Sequence, residues 1–189
     1  MNSEMFSKLP PTQLFFKCAV PAVVTSVFGA LYSVVDGIFV GRFLGSDALA
    51  AINLIMPIIL IVEAISNMIA TGASVRISVL LGEKNREEAS RVFSLSLKVI
   101  FLLGCALGGL GFFFAEPFVR FLAPGASDLA VQYGVIYIRV NAVFSPLCLV
   151  FFATDNYLRV CGKEKLSMWL SIGTQSFNIA LDIILVGAV

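Results

Sequence analysis

At 189 residues, with 59% hydrophobic side chains, 13% charged ones and a net charge of +1, the chain has no room for a water-soluble domain beside its apolar segments. Soluble domains carry about a quarter charged residues, and the mean hydropathy here is +0.96, so the composition implies an all-α polytopic membrane protein. The absence of histidine removes His-based triads, most zinc sites and a histidine proton relay. No catalytic residues, no cofactor and no nucleic-acid partner are expected.

Residues 1–17 read as a cytoplasmic or interfacial lead-in. They are not the start of a cleaved signal peptide, because the following apolar run is of full span length, contains Asp36 and leads directly into further spans. A helix needs about 20 apolar residues to cross a bilayer. Five stretches meet or approach this, over approximately 18–40, 49–72, 93–115, 130–154 and 167–189. Pro21, Pro57 and Pro146 fall inside spans, where neighbouring helices can satisfy the freed backbone groups. Gly104, Gly108, Gly109 and Gly111 suggest close helix contact or a bend in the third span. Short polar connections are expected at Gly41–Asp47, Gly82–Ser90, Glu116–Asp128 and Arg159–Lys165. Cys18, Cys105, Cys148 and Cys161 form no CxxC pair and read as small packing residues. The chain stops at Val189 inside the fifth apolar run, which reads as a truncated chain.

Basic residues set the orientation. Lys8, Lys17, Arg76, Lys84, Arg86, Arg91, Arg159, Lys163 and Lys165 fall on one side of the membrane, and only Arg42 and Arg120 on the other. The N-terminus is therefore expected in the cytoplasm, with the first, third and fifth spans running outward.

Two aspartates stand inside apolar runs, Asp36 in the first span and Asp182 in the fifth. An ionised carboxylate at bilayer depth costs about 2.5–3.5 kcal/mol on insertion scales, and such groups most often bind or move a cation or proton. Both spans run outward, so the carboxylates reach similar depth. Tyr32 and Asn178 each lie one turn before an aspartate on the same helix face. Four such groups can converge in one pocket suited to a hard cation or a shared proton. Otherwise each Asp caps or hydrogen-bonds a neighbouring helix. Glu63, near the middle of the second span, either faces a cavity or bonds another helix. Arg139 in the fourth span either pairs with Asp36 or Asp182 or snorkels outward. Asp155 and Asn156 are expected at a solvated or salt-bridged helix end beside Arg159. Most of the 17 phenylalanines are expected to face lipid, with a subset available to flat lipophilic cations.

The run from Tyr32 to Ala51, with its VVDG, the VG-x-x-LG turn at Val40–Gly45 and the following ALAA, resembles the first-helix signature of the multidrug and toxic compound extrusion (MATE) family. Arg159-Val-Cys-Gly162 and Asn178-Ile-Ala-Leu-Asp182-Ile-Ile-Leu185 are similar to the family's R-x-x-G loop and N-x-x-LD-x-x-L fifth helix. The likeness extends along essentially the whole chain, and the bacterial MepA/DinF-like branch is the most similar. It implies a twelve-helix, two-lobed fold of which this chain supplies most of the N-terminal lobe, over 18–189, with the C-terminal lobe missing.

The resemblance further implies an H⁺- or Na⁺-coupled antiporter in the plasma membrane that exports small lipophilic cations by alternating access. Its coupling cluster then falls on Asp36, Asn178 and Asp182, a possible Na⁺ site, with Tyr32 and Tyr137 nearby and Asp155 or Asn156 as a fourth-helix contributor. Glu63 and Arg139 match no family motif. A lipid-linked precursor flippase of the same superfamily and a non-transporting fragment are the alternatives. An intramembrane enzyme is disfavoured, because the aspartates lack a GxGD context and there is no histidine for a serine type.

Overall fold

The computed structural model describes residues 10–122 and 124–185. Its helices are α1 (Pro11–Phe39), a π-helical turn (Val40–Leu44), α2 (Gly45–Gly82), α3 (Arg86–Phe113), α4 (Ala115–Leu122), α5 (Asp128–Val160) and α6 (Glu164–Leu185). No strand occurs among the described residues. Among the described residues, four stretches are long and apolar enough to cross a membrane: Pro11–Phe43, Gly45–Gly82, Arg86–Phe113 and Asp128–Val160. Only 6–22% of each apolar stretch is buried in the protein. Bare apolar faces of that extent, including Met68 at 70% and Phe113 at 79% exposure, match a lipid surround. The fifth expected span corresponds to α6, which is not among the four over its described residues. Gln175, Asn178 and Asp182 interrupt its apolar run, and residues 186–189 lie outside the described residues.

The helices outrun the apolar stretches that announce them. Helix α2 continues past residue 72 to Gly82, since Ile77 and Leu80 return to the core. The connection expected at Gly41–Asp47 is helical instead: the chain passes through the π turn and pivots at Gly45, whose φ of +85° suits a residue without Cβ. The connection expected at Glu116–Asp128 contains α4. Of the lead-in over 1–17, residues 1–9 lie outside the described residues and 11–17 form the first turns of α1. At the α2–α3 turn the Asn85 side chain accepts the Glu88 N–H at 3.2 Å and caps α3. At the α5–α6 turn Gly162 has φ +72° and donates its N–H to the Arg159 carbonyl at 2.9 Å.

The chain forms two compact units, one up to Leu44 and from Leu158 onward, the other Gly45–Tyr157. In the second, Ile55, Ala115, Val119, Val131 and Ile138 make one apolar cluster. Ile77, Leu80, Ile100, Leu149 and Tyr157 belong to another. Of the four expected contact glycines, Gly104 and Gly108 approach α5 too closely for a side chain, and Gly111 makes ordinary contact with Ala142 and Ile138. A Cβ on Gly104 would lie 2.6 Å from Pro146 Cα, and one on Gly108 would collide with the Ala142 carbonyl, whereas Gly109 has open space. Pro146 cannot donate to the Ala142 carbonyl four residues back. The Ser145 hydroxyl shares its one proton between that carbonyl at 3.0 Å and the Gly104 carbonyl at 3.1 Å. Lower in the same unit, Tyr157 donates its hydroxyl to Ser96 Oγ at 2.7 Å, and Ser96 donates to the Phe93 carbonyl at 2.8 Å.

Candidate functional site

In the first unit, two contacts and one charge interaction relate α1 to α6. Cys18 donates its thiol to a Glu164 carboxylate oxygen at 3.5 Å. Gln175 Nε2 lies 3.6 Å from where a Cβ on Gly29 would stand. Asp36 is close enough to Asp182 to feel its charge. Each pair is separated by the same 146 residues along the chain. A constant offset requires the two helices to run side by side, in the same direction and in register. From Cys18 to Asp36 this seam spans about 27 Å at 1.5 Å per residue, close to the hydrocarbon thickness of about 30 Å.

The seam is polar along its length. Helix α1 contributes Cys18, Thr25, Gly29, Tyr32 and Asp36, and the matching register positions on α6 are Glu164, Ser171, Gln175, Asn178 and Asp182. Successive spacings of seven, four, three and four residues keep each set on one helical face. All ten are half-buried. Asp182 Oδ2 and Gln175 Oε1 are buried with no hydrogen-bond partner among the described residues. At the other end Cys18, Pro21, Thr25, Arg159 and Glu164 line a cleft of about 190 Å³. Sequence reading identified Tyr32, Asp36, Asn178 and Asp182 but missed Gln175, Thr25 and Ser171. The i, i+3, i+7 spacing of Gln175, Asn178 and Asp182 was the available signal.

Among the described residues no three His, Cys, Asp or Glu side chains form a metal-binding group. Two carboxylates and a carboxamide can instead share a proton or present oxygens to one hard monovalent cation.

The remaining sequence candidates lie in the second unit. Glu63 lines two clefts there. One, of about 330 Å³, lies between α2 and α5 and includes Ser66, Asn67, Asp155 and Asn156. The other, of about 260 Å³, is mostly aliphatic and reaches α3 at Leu107 and Gly108. Asp155 and Asn156, expected at a solvated or salt-bridged helix end, lie within the last two turns of α5 and line the first, polar cleft. Helix α5 runs on to Val160 because Tyr157 is buried beside Ile100 and Leu149, which leaves both residues half-buried in the cleft wall. Asn156 Nδ2 donates to Asn67 Oδ1 at 2.8 Å. Tyr137 packs against the cluster around Ile55. Arg139 is exposed, with its guanidinium 5.8 Å from the Phe112 ring centroid in a cation–π arrangement.

The sequence matches the MatE family over residues 21–184. It is 29% identical over 162 residues to the probable multidrug resistance protein YoeA of Bacillus subtilis (strain 168), covering 86% of this chain and 35% of that protein. It is 28% identical over 183 residues to the multidrug export protein MepA of Staphylococcus aureus (strain bovine RF122 / ET3-1), covering 96% of this chain and 40% of that one. A crystal structure of a MATE protein shares the fold with a TM-score of 0.87 at 23% identity, over 97% of this chain and 41% of its own. The chain thus spans between a third and a half of the length of these relatives. With the family pattern running from the middle of α1 almost to the end of α6, this multi-pass membrane protein belongs to the MatE family.

Proposed function

We propose that this chain supplies the coupling half of an exporter that moves drug-like organic cations out across the plasma membrane by alternating access, in exchange for H⁺ or Na⁺. The observation that carries the reading is the α1–α6 seam: two carboxylates from different helices within electrostatic range, one of them with a buried oxygen that lacks a partner among the described residues. Two like charges in a low-dielectric setting repel, and a proton or a monovalent cation relieves that repulsion. Asp36, Asn178 and Asp182 are the ligands in this reading, with Tyr32 one turn from Asp36. Loading changes how α1 packs on α6, and the cargo is released from the state that the loaded seam favours. A coupling free energy of about 1–3 kcal/mol suffices for such linkage. The multidrug names of YoeA and MepA support the cargo class, and the distribution of basic residues supports a cytoplasmic N-terminus.

The test is efflux of ethidium from vesicles holding the full-length protein, driven by a proton or a sodium gradient. Asp182→Asn is expected to insert normally and to lose gradient-driven efflux. Wild-type efflux by that variant would refute the coupling role.

A further inference from the structure

We infer that Glu63 anchors the positive charge of the transported cation, in a binding site distinct in residues from the Asp36–Asp182 seam. The inference rests on the export reading above and adds to it the place where cargo binds. The polar cleft and the aliphatic cleft of the second unit share Glu63, Leu149 and Phe152, so the carboxylate stands where one meets the other. On one side are Asn67, Asp155 and Asn156. On the other are Ile55, Ile59, Val62 and Ile138. At 330 and 260 Å³ the two spaces together fall in the range of small-molecule sites, about 300–1,000 Å³.

The charge pattern selects the occupant. The linings carry two carboxylates and no lysine or arginine. Glu63 is half-buried near the middle of α2, and no ion pair to it occurs among the described residues. A half-buried carboxylate with an aliphatic wall on one side and carboxamides on the other suits a monovalent organic cation with a flat apolar body. The Phe152 ring, shared by both clefts, offers such a body an aromatic surface. An anionic or zwitterionic headgroup would meet like charge in the polar cleft. The Asn67–Asn156 hydrogen bond ties α2 to α5 one turn beyond Glu63 and holds the two walls together.

The experiment is ethidium binding, read by fluorescence anisotropy, to the full-length protein in detergent. Glu63→Gln should weaken binding by about tenfold or more, as loss of one partner of a buried charge pair does, and Glu63→Asp should recover part of it. Glu87→Gln, which removes an exposed carboxylate paired with Arg91 and outside both clefts, should bind ethidium as wild type. Unchanged binding by a folded Glu63→Gln protein overturns the inference while leaving the coupling reading intact. A loss of efflux coupling in Glu63→Gln with normal ethidium affinity overturns it equally. A second measurement is independent of that variant's folding. Cys148 lines the aliphatic cleft within electrostatic range of Glu63. In a protein with Cys18, Cys105 and Cys161 changed to serine, ethidium should slow modification of Cys148 by a membrane-permeant maleimide. An unaltered modification rate at saturating ethidium also overturns the inference.

Discussion

The two units of this chain solve opposite problems. Gly45–Tyr157 builds a core from apolar clusters and bonds the buried hydroxyls of Ser145, Tyr157 and Ser96: Ser145 shares its proton between two carbonyls, and Tyr157, Ser96 and the Phe93 carbonyl form a chain. The α1–α6 unit has few buried apolar residues among those described and joins its helices along a polar stripe. Both buried side-chain oxygens that lack a partner among the described residues, on Gln175 and Asp182, belong to α6. An unpaired buried polar atom costs about 1–3 kcal/mol, and such a cost is tolerated where the group has a ligand to meet. One unit is scaffold with a cleft in its side, and the other carries the strain.

That contrast can be broken at its strongest point first. Gly108→Leu drives a side chain into the Ala142 backbone and the Ser145 hydroxyl, so destabilisation of about 3 kcal/mol or more is expected, at the upper end of overpacking costs. Loss of folded protein on a detergent-resistance or thermal-melting assay is the readout. Gly109→Ala, with open space around it, should leave the same assay unmoved; equal damage at both positions would dissolve the close-contact account.

The seam makes the next largest claim. In a double-mutant cycle of Asp36→Asn and Asp182→Asn, proton or sodium affinity should be non-additive, with a coupling energy of about 1–3 kcal/mol. Additive losses would mean that the carboxylates act separately. Gly45→Ala places a Cβ at φ +85° and should cost about 1–2 kcal/mol in melting stability.

A smaller effect is expected at Tyr157. Its replacement by Phe removes the bond to Ser96 but leaves Ser96 bonded to the Phe93 carbonyl, for a loss of about 1 kcal/mol. Gln175→Leu should have the reverse sign, stabilising by about 1 kcal/mol or less by removing an unpaired oxygen. A stability loss there would show that Gln175 is satisfied in the working protein.

Asp36 and Asp182 were legible in the sequence because a charge inside an apolar run is costly wherever its helix ends up. Tyr32 and Asn178 followed from helical spacing alone. The turn glycines were legible through the family signatures, and their φ values of +85° at Gly45 and +72° at Gly162 give the physical reason for glycine there. Gln175 was passed over, although its spacing to Asn178 and Asp182 puts it on their helical face. Only its approach to Gly29 shows it inside the seam.

Composition and periodicity by themselves determined a helical membrane protein with charges at depth, because transfer free energy depends on what each residue is and hardly on its neighbours. The pairing of α1 with α6 in constant register, the polar stripe it creates and the junction of two clefts at Glu63 were decided by tertiary structure alone. Those features depend on which helix faces meet, and that is a property of packing between distant segments that no local pattern encodes.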